Sequence, residues 1–319
     1  MNRFLLNFEK SLCYDAALLW AAGPAHAVAP LMKLRLILFL VVSAILWPAG
    51  LAAQQRPLLT QDVDLIQPGH ILFEFGIDFL QSDHFPLSGL RGDLTSVGVI
   101  GINIGLGETA EFQLEGTTYN FLAVSGRSPS FVTPHLSADG LSTSGFGDFT
   151  LATKLRILPE GKHRPSFGFR FGFQMPNSNQ SNGIGLNTTN VFGTILIGKH
   201  FGKLNTFSNV GIGILTAPTL LFTQNDVLTY GVAGTYPLFK HITLAGEING
   251  RRSTRGGVAP LGTESLSQAR FGVQVLAAGF RWDLAAIKGL TRLDPSSGIT
   301  LGVTKDIKAF DVPTAGPSK

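Results

Sequence analysis

The stretch SFGFRFGFQMP, Ser166–Pro176, places Phe167, Phe169, Phe171 and Phe173 at every second position, with Gly168, Arg170, Gly172 and Gln174 between them. A period of two belongs to a strand whose two faces meet different surroundings. One face here is large and apolar, the other small or polar. In a soluble sandwich the phenylalanines would point into a core. In a membrane barrel they would point out to lipid.

The same alternation recurs along the chain. Phe73, Phe75, Ile77 and Phe79 oppose Glu74, Gly76 and Asp78; Ile100, Ile102 and Ile104 oppose Gly101 and Asn103. Phe112 and Leu114 oppose Glu111, Gln113 and Glu115, and Phe149, Leu151, Leu155 and Ile157 oppose Asp148, Lys154 and Arg156. Later segments set Val210, Ile212 and Ile214 against Asn209 and two glycines, Ile248 against Glu247 and Arg251, Phe271 against Arg270, and Trp282 against Arg281 and Asp283. Ile299, Leu301 and Val303 close the series, and Asn190–His200 has no clear phase. About twelve strands result, most near the nine to eleven residues of a tilted membrane strand. A turn at Ala277–Gly279 keeps their number even, as single-chain bacterial barrels require.

The linkers separate the two readings. Gly107–Thr109, Pro159–Pro165, Phe201–Asn205 and Pro237–His241 are short; Ser82–Asp93, Ala123–Gly145, Asn177–Thr189, Ala217–Asp226 and Ser253–Ser267 are long, and the two kinds alternate. An up-and-down barrel of the outer membrane has short periplasmic turns and long outer loops, whereas a Greek-key sandwich has no reason to alternate. The expected fold is therefore all-β, a transmembrane antiparallel up-and-down barrel, with Phe73, Phe75, Phe167, Phe169, Phe171 and Phe173 toward lipid.

Composition agrees. Of 319 residues only 14% are charged, and there are 38 glycines and 24 phenylalanines. From Met32, Lys33 and Arg35 precede the apolar run Leu36–Trp47 and the small-residue stretch Pro48–Ala53. This is the pattern of a secretory signal peptide over 32–53, its apolar run shorter than the roughly 20 residues of a membrane helix. Residues 1–31 read as a mis-annotated extension ahead of it. Removal of 1–53 also removes Cys13, the only cysteine, and leaves a charge balance with no footprint for nucleic acid. Gln54–Gly69 is expected to be a periplasmic leader or a lumen plug, 70–310 the barrel and 311–319 a tail.

The segment Gly145–Pro176, a Gly-Asp strand, a short turn and a Pro-ended strand, resembles the outer-membrane barrels named for the MetA pathway of phenol degradation. Gly289–Thr304 is similar to the closing strands of that family. The resemblance spans most of residues 70–310 and rests on loose glycine and polar spacings. It implies an outer-membrane channel for passive passage of small, hydrophobic or aromatic solutes. One departure is that Phe310 falls out of phase with Val303 and Ile307.

The inward set is expected to line a lumen: Glu74, Asp78, Glu111, Glu115, Asp148, Lys154, Arg156, Arg170, Glu247, Arg251, Arg270, Arg281 and Asp283. Such charges either set a transverse field that orients solutes or pair with one another and fill the interior. The rival classes are a structural or adhesion barrel and an outer-membrane lipid-modifying enzyme. An esterase needs a nucleophile, a His base and an acid; the mature histidines fall singly, His84 beside Asp83 being the best candidate. No metal-ligand spacing and no cofactor motif is present, so neither a metal nor a cofactor is expected, and no enzymatic role. The expected partners are outer-membrane lipid, a small solute and the barrel assembly machinery during insertion.

Overall fold

In a computed structural model of the chain, residues 56–219 and 223–312 are described. The expectations for 1–31, 32–53 and the end of the tail lie outside these residues.

The alternating segments form thirteen antiparallel strands: β1 His70–Phe85, β2 Leu90–Gly105, β3 Ala110–Arg127, β4 Ser142–Gly145, β5 Phe149–Leu158, β6 Ser166–Met175, β7 Asn190–Phe201, β8 Leu204–Thr216, β9 Gln224–Phe239, β10 Ile242–Ser253, β11 Leu266–Ala277, β12 Phe280–Gly289 and β13 Ser297–Lys308. β1 pairs with both β2 and β13, so the sheet closes. β4 and β5 both pair with β3, through Asn120–Ala123 and Ala110–Gly116 respectively. They are two pieces of one broken strand, and the barrel has twelve positions. Closure leaves no sheet edge with unpaired backbone.

Sequence phase sets the two surfaces. Phe73, Phe75, Phe171, Phe173, Val210, Ile212, Val232, Phe271 and Leu284 are exposed on the outside. Phe167 and Phe169 share that face half-buried, and Phe169 lies over Gly193 of β7. Glu74, Asn103, Glu111, Gln113, Lys154, Asn209, Glu247 and Gln274 are buried. An apolar outside and a buried polar inside invert the order of a soluble globule.

Several boundaries differ from the expected ones. β1 and β2 run through most of the expected loop Ser82–Asp93, leaving only 86–89 between them. β3 likewise extends to Arg127, and the loop is 128–141. The expected single strand over Phe146–Leu158 starts at Phe149, because Asp148 turns its carboxylate to the backbone N–H groups of Asn177 and Ser178. The 278–279 turn is confirmed: Ala278 and Gly279 both have positive φ, 54° and 72°, the backbone of a tight hairpin between twisted strands. β13 stops at Lys308, and Ala309 and Phe310 donate their N–H groups to Gly69 O. Phe310 thus folds over the start of the barrel rather than continuing the outer face.

Candidate functional site: the lumen and its leader

The leader from Arg56 to Gly69 has no strand partner, yet most of its residues are buried. A buried backbone must find hydrogen bonds somewhere, and here the inward side chains of the barrel supply them. Three strand glutamates accept from its N–H groups. Glu74 Oε1 takes Arg56 N at 3.2 Å, Glu247 takes Leu59 N at 2.9 Å and Thr60 N at 2.8 Å, and Glu111 Oε2 takes Ile66 N at 2.8 Å. Cationic and amide groups donate to its carbonyls: Gln274 to Arg56 O, Arg270 to Pro57 O, Asn209 to Gln61 O and Lys154 to Asp64 O.

The partners follow the wall in strand order. Arg56 meets β1, β12 and β13 through Glu74, Asp283 and Thr300. Pro57 meets β11, and Leu58 packs with Phe207, Ala233 and Ala245 of β8, β9 and β10. Gln61 meets Asn209 of β8, and Asp62 meets Asn205 of the same strand. Val63 sits over Gly168 of β6 and Gly198 of β7, with Leu196 beside it. Asp64 and Ile66 then reach β5 and β3. The leader is a collar laid around the inner wall, and Gln61 also spans to Gln113 and Glu115 of β3. This explains the unclear phase of Asn190–His200: the inward Leu196 is apolar because the leader brings Val63 against it.

The expected lumen residues fall into three groups. Glu74, Asp78, Glu111, Glu115, Lys154, Arg170, Glu247, Arg270, Arg281 and Asp283 meet inside the barrel, paired with one another or with the leader. Lys154 Nζ lies 3.0 Å from Glu111 Oε1 with both residues at 0% exposure, and Arg170 Nη2 lies 2.8 Å from Glu115 Oε2. Arg156 sits at the short-turn end, donating to Glu108 O, and Arg251 at the long-loop end, donating to Gly262 O and Glu264 O. Asp148 secures the 176–189 loop at the strand break. His84 gives its backbone N–H, not its ring, to Asp83.

Outside the expected lumen set lie the leader's own Arg56, Gln61 and Asp62, and the neutral residues Gln113, Asn209, Gln274 and Thr300, which the alternation places on the polar face. The available signal was the leader itself, whose polar residues are interleaved with Leu58, Val63 and Ile66.

No family model and no curated protein matches the chain. Among solved structures, an outer membrane channel from Pseudomonas putida F1 is similar with a TM-score of 0.55 at 15% identity, over 77% of this chain and 98% of that one. The NanC porin is more remote (TM-score 0.43, 8% identity, 76% and 100% covered), as is the Pseudomonas putida toluene transporter TodX (0.38, 11%, 76% and 90%). The first of these shares the fold, a closed antiparallel barrel.

Proposed function

We propose that the protein is an outer-membrane channel for passive passage of small solutes, hydrophobic or aromatic ones included, whose bore is narrowed by the collar Arg56–Ile66. The observation that carries this reading is the pairing of an exposed apolar belt with a charged, hydrogen-bonded interior. In hydrocarbon only a closed sheet satisfies its backbone, and a polar inside is useful only where something polar or wet lies within. The short connections 202–203, 240–241 and 278–279 are then periplasmic, and the loops 128–141, 176–189 and 254–265 face outward. Lipid and the barrel assembly machinery are its partners. The similarity in fold to an outer membrane channel supports this reading, as does the resemblance of Gly145–Pro176 to the MetA-pathway barrels.

A second reading, a barrel shut at rest, is favoured by one observation: Lys154, Glu111 and Gln113 have no exposed surface at all. Solute-dependent swelling of liposomes carrying the purified chain separates the two. Swelling by small sugars and amino acids supports the channel. No swelling favours the shut barrel, and detergent-dependent ester hydrolysis without swelling would replace both with an enzyme.

A further inference from the structure

Above the collar, at the long-loop end, lies a cavity of about 370 Å³, within the range of small-molecule pockets (about 300–1,000 Å³). Its side walls come from the outer end of β1, the turn 86–89 and the loops 176–189, 254–265 and 290–296, with Leu80, Leu87, Ile184, Leu186 and Leu293 giving them an apolar surface. Part of its polar lining comes from the inward ladder of β10 and β11, where Asn249 is opposite Gln268 and Arg270 is opposite Glu247, one step below the cavity.

The acids and the donors around this cavity are in different states. Asp294 accepts from Ser267 N and Thr291 N, Glu264 from Gly262 N, and Asp83 from His84 N. These carboxylates are occupied in holding loop backbone. On the donor side, Asn249 Nδ2 and Arg270 Nε have no hydrogen-bond partner among the described residues. Arg270 Nε is 3.7 Å from the nearest Glu247 oxygen, and the Arg270 side chain is only 9% exposed. A buried donor without an acceptor is costly, and two around one cavity leave a deficit of acceptor oxygens there.

From this we infer that the cavity is a binding site for a small amphipathic carboxylate. The apolar body rests on the leucine walls, and the carboxylate oxygens meet the Asn249 amide and the Arg270 guanidinium. This inference rests on the channel reading and adds to it a station where solute is held before it meets the collar. Charge-assisted bonds from a guanidinium are the stronger kind, so the charged head carries the discrimination and the apolar wall the affinity.

The test uses the full chain in nanodiscs and equilibrium dialysis of radiolabelled 4-phenylbutyrate, with empty nanodiscs subtracted. One saturable site per chain is expected. Acetate, with no apolar body, should not compete, and 4-phenylbutan-1-ol, with no carboxylate, should compete about tenfold more weakly or worse. Asn249→Leu removes a donor and Leu186→Trp fills the wall from the opposite side. Each should weaken binding about tenfold or more, while Lys203→Ala, in the exposed turn at the opposite end of the barrel, should bind as the parent does. Two independent variants keep the test open should one misfold. Absence of saturable binding, parental affinity in both variants, or equal competition by the alcohol would overturn the site. Conductance of the same preparations separates the two claims. Conductance without binding defeats the site alone, and binding without conductance defeats the channel and leaves the site standing.

Discussion

Gly76 of β1 and Gly302 of β13 lie directly opposite each other, and the notch they leave is filled by the guanidinium of Arg56. A Cβ at Gly76 would fall 2.3 Å from Arg56 Cζ, and one at Gly302 would fall 2.4 Å from Arg56 Nε. No side chain fits there while Arg56 remains. The glycine pair is therefore where the collar begins, and the inner surface of the barrel is shaped for the leader as much as for solute.

Gly76→Val should expel Arg56 from this notch and break its contacts with Thr300 and Asp283. Hydrogen exchange followed by mass spectrometry should then show leader amides 58–66 exchanging on the order of tenfold faster or more, since most of their hydrogen-bond partners are wall side chains. Unchanged protection would mean that Glu247, Asn209 and Glu111 hold the collar without its first residue.

The Lys154–Glu111 pair has no access to solvent, so its two charges depend on each other. Removing one partner of a buried pair costs about 3–5 kcal/mol, whereas replacing both by apolar groups of like volume is often neutral. Glu111→Gln alone should lower stability by about that amount in urea titrations of the chain folded into lipid vesicles. Lys154→Met with Glu111→Leu should cost less than the single change, although it also gives up the bonds to Asp64 O and Ile66 N. A double variant as damaging as the sum of its parts would show that the pair is not buried as a unit.

Thr60 and Gly231 offer a tether between collar and wall. A Cβ built at Gly231 would lie 3.2 Å from Thr60 Cβ, against about 3.5–4.5 Å for a disulfide. A shift of a few tenths of an ångström would let Thr60→Cys with Gly231→Cys close a bond. The cross-linked species should form in air and migrate differently from its reduced form on gels. Single-channel conductance should be the same before and after reduction, because the collar is a stationary lining in this account. A jump in conductance on reduction would show instead that the leader swings.

At the short-turn end, Glu160 in the 159–165 turn receives Lys199 Nζ at 2.7 Å and His200 Nδ1 at 2.6 Å. These hydrogen bonds, Lys199 first, hold its carboxyl well down, to about 2 from an ordinary 4.5. A depressed carboxyl contributes stability above its unfolded value and loses it as pH falls through the folded one. The stability that the clasp between this turn and β7 contributes should therefore be complete above about pH 4.5 and be lost progressively between about 4.5 and 2. Carbon NMR of the Glu160 carboxyl should give a midpoint near 2. A midpoint near 4.5 would show the clasp absent.

Much of the fold was legible in sequence because a barrel wall repeats one rule. The phase of Phe167–Phe173 and of Val210–Ile214 fixes a face without reference to any distant residue. The strand ends were less legible, since β1 and β2 continue past the apolar belt into segments whose polar residues, Ser82 to Asp93, resemble loop by composition. The break at Phe146–Asp148 depends on a carboxylate meeting a loop 29 residues away, which local pattern does not encode. The inward charges were legible as a set, but their partners were not. Glu247 and Glu111 read as lumen acids, and what they bind is the backbone of a leader whose path follows from three-dimensional closure alone. Leu196, which packs beside Val63 of the leader, blurred the phase of β7 for the same reason.

The most direct measurement is a single-channel recording in planar bilayers of the mature chain and of a variant lacking residues 56–66, with barrel closure of the variant checked by its heat-dependent shift on gels. The account predicts small, steady conductance steps for the mature chain and several-fold larger steps once the collar is gone. Steps of equal size in both, or no conductance from a closed barrel without its collar, would contradict it.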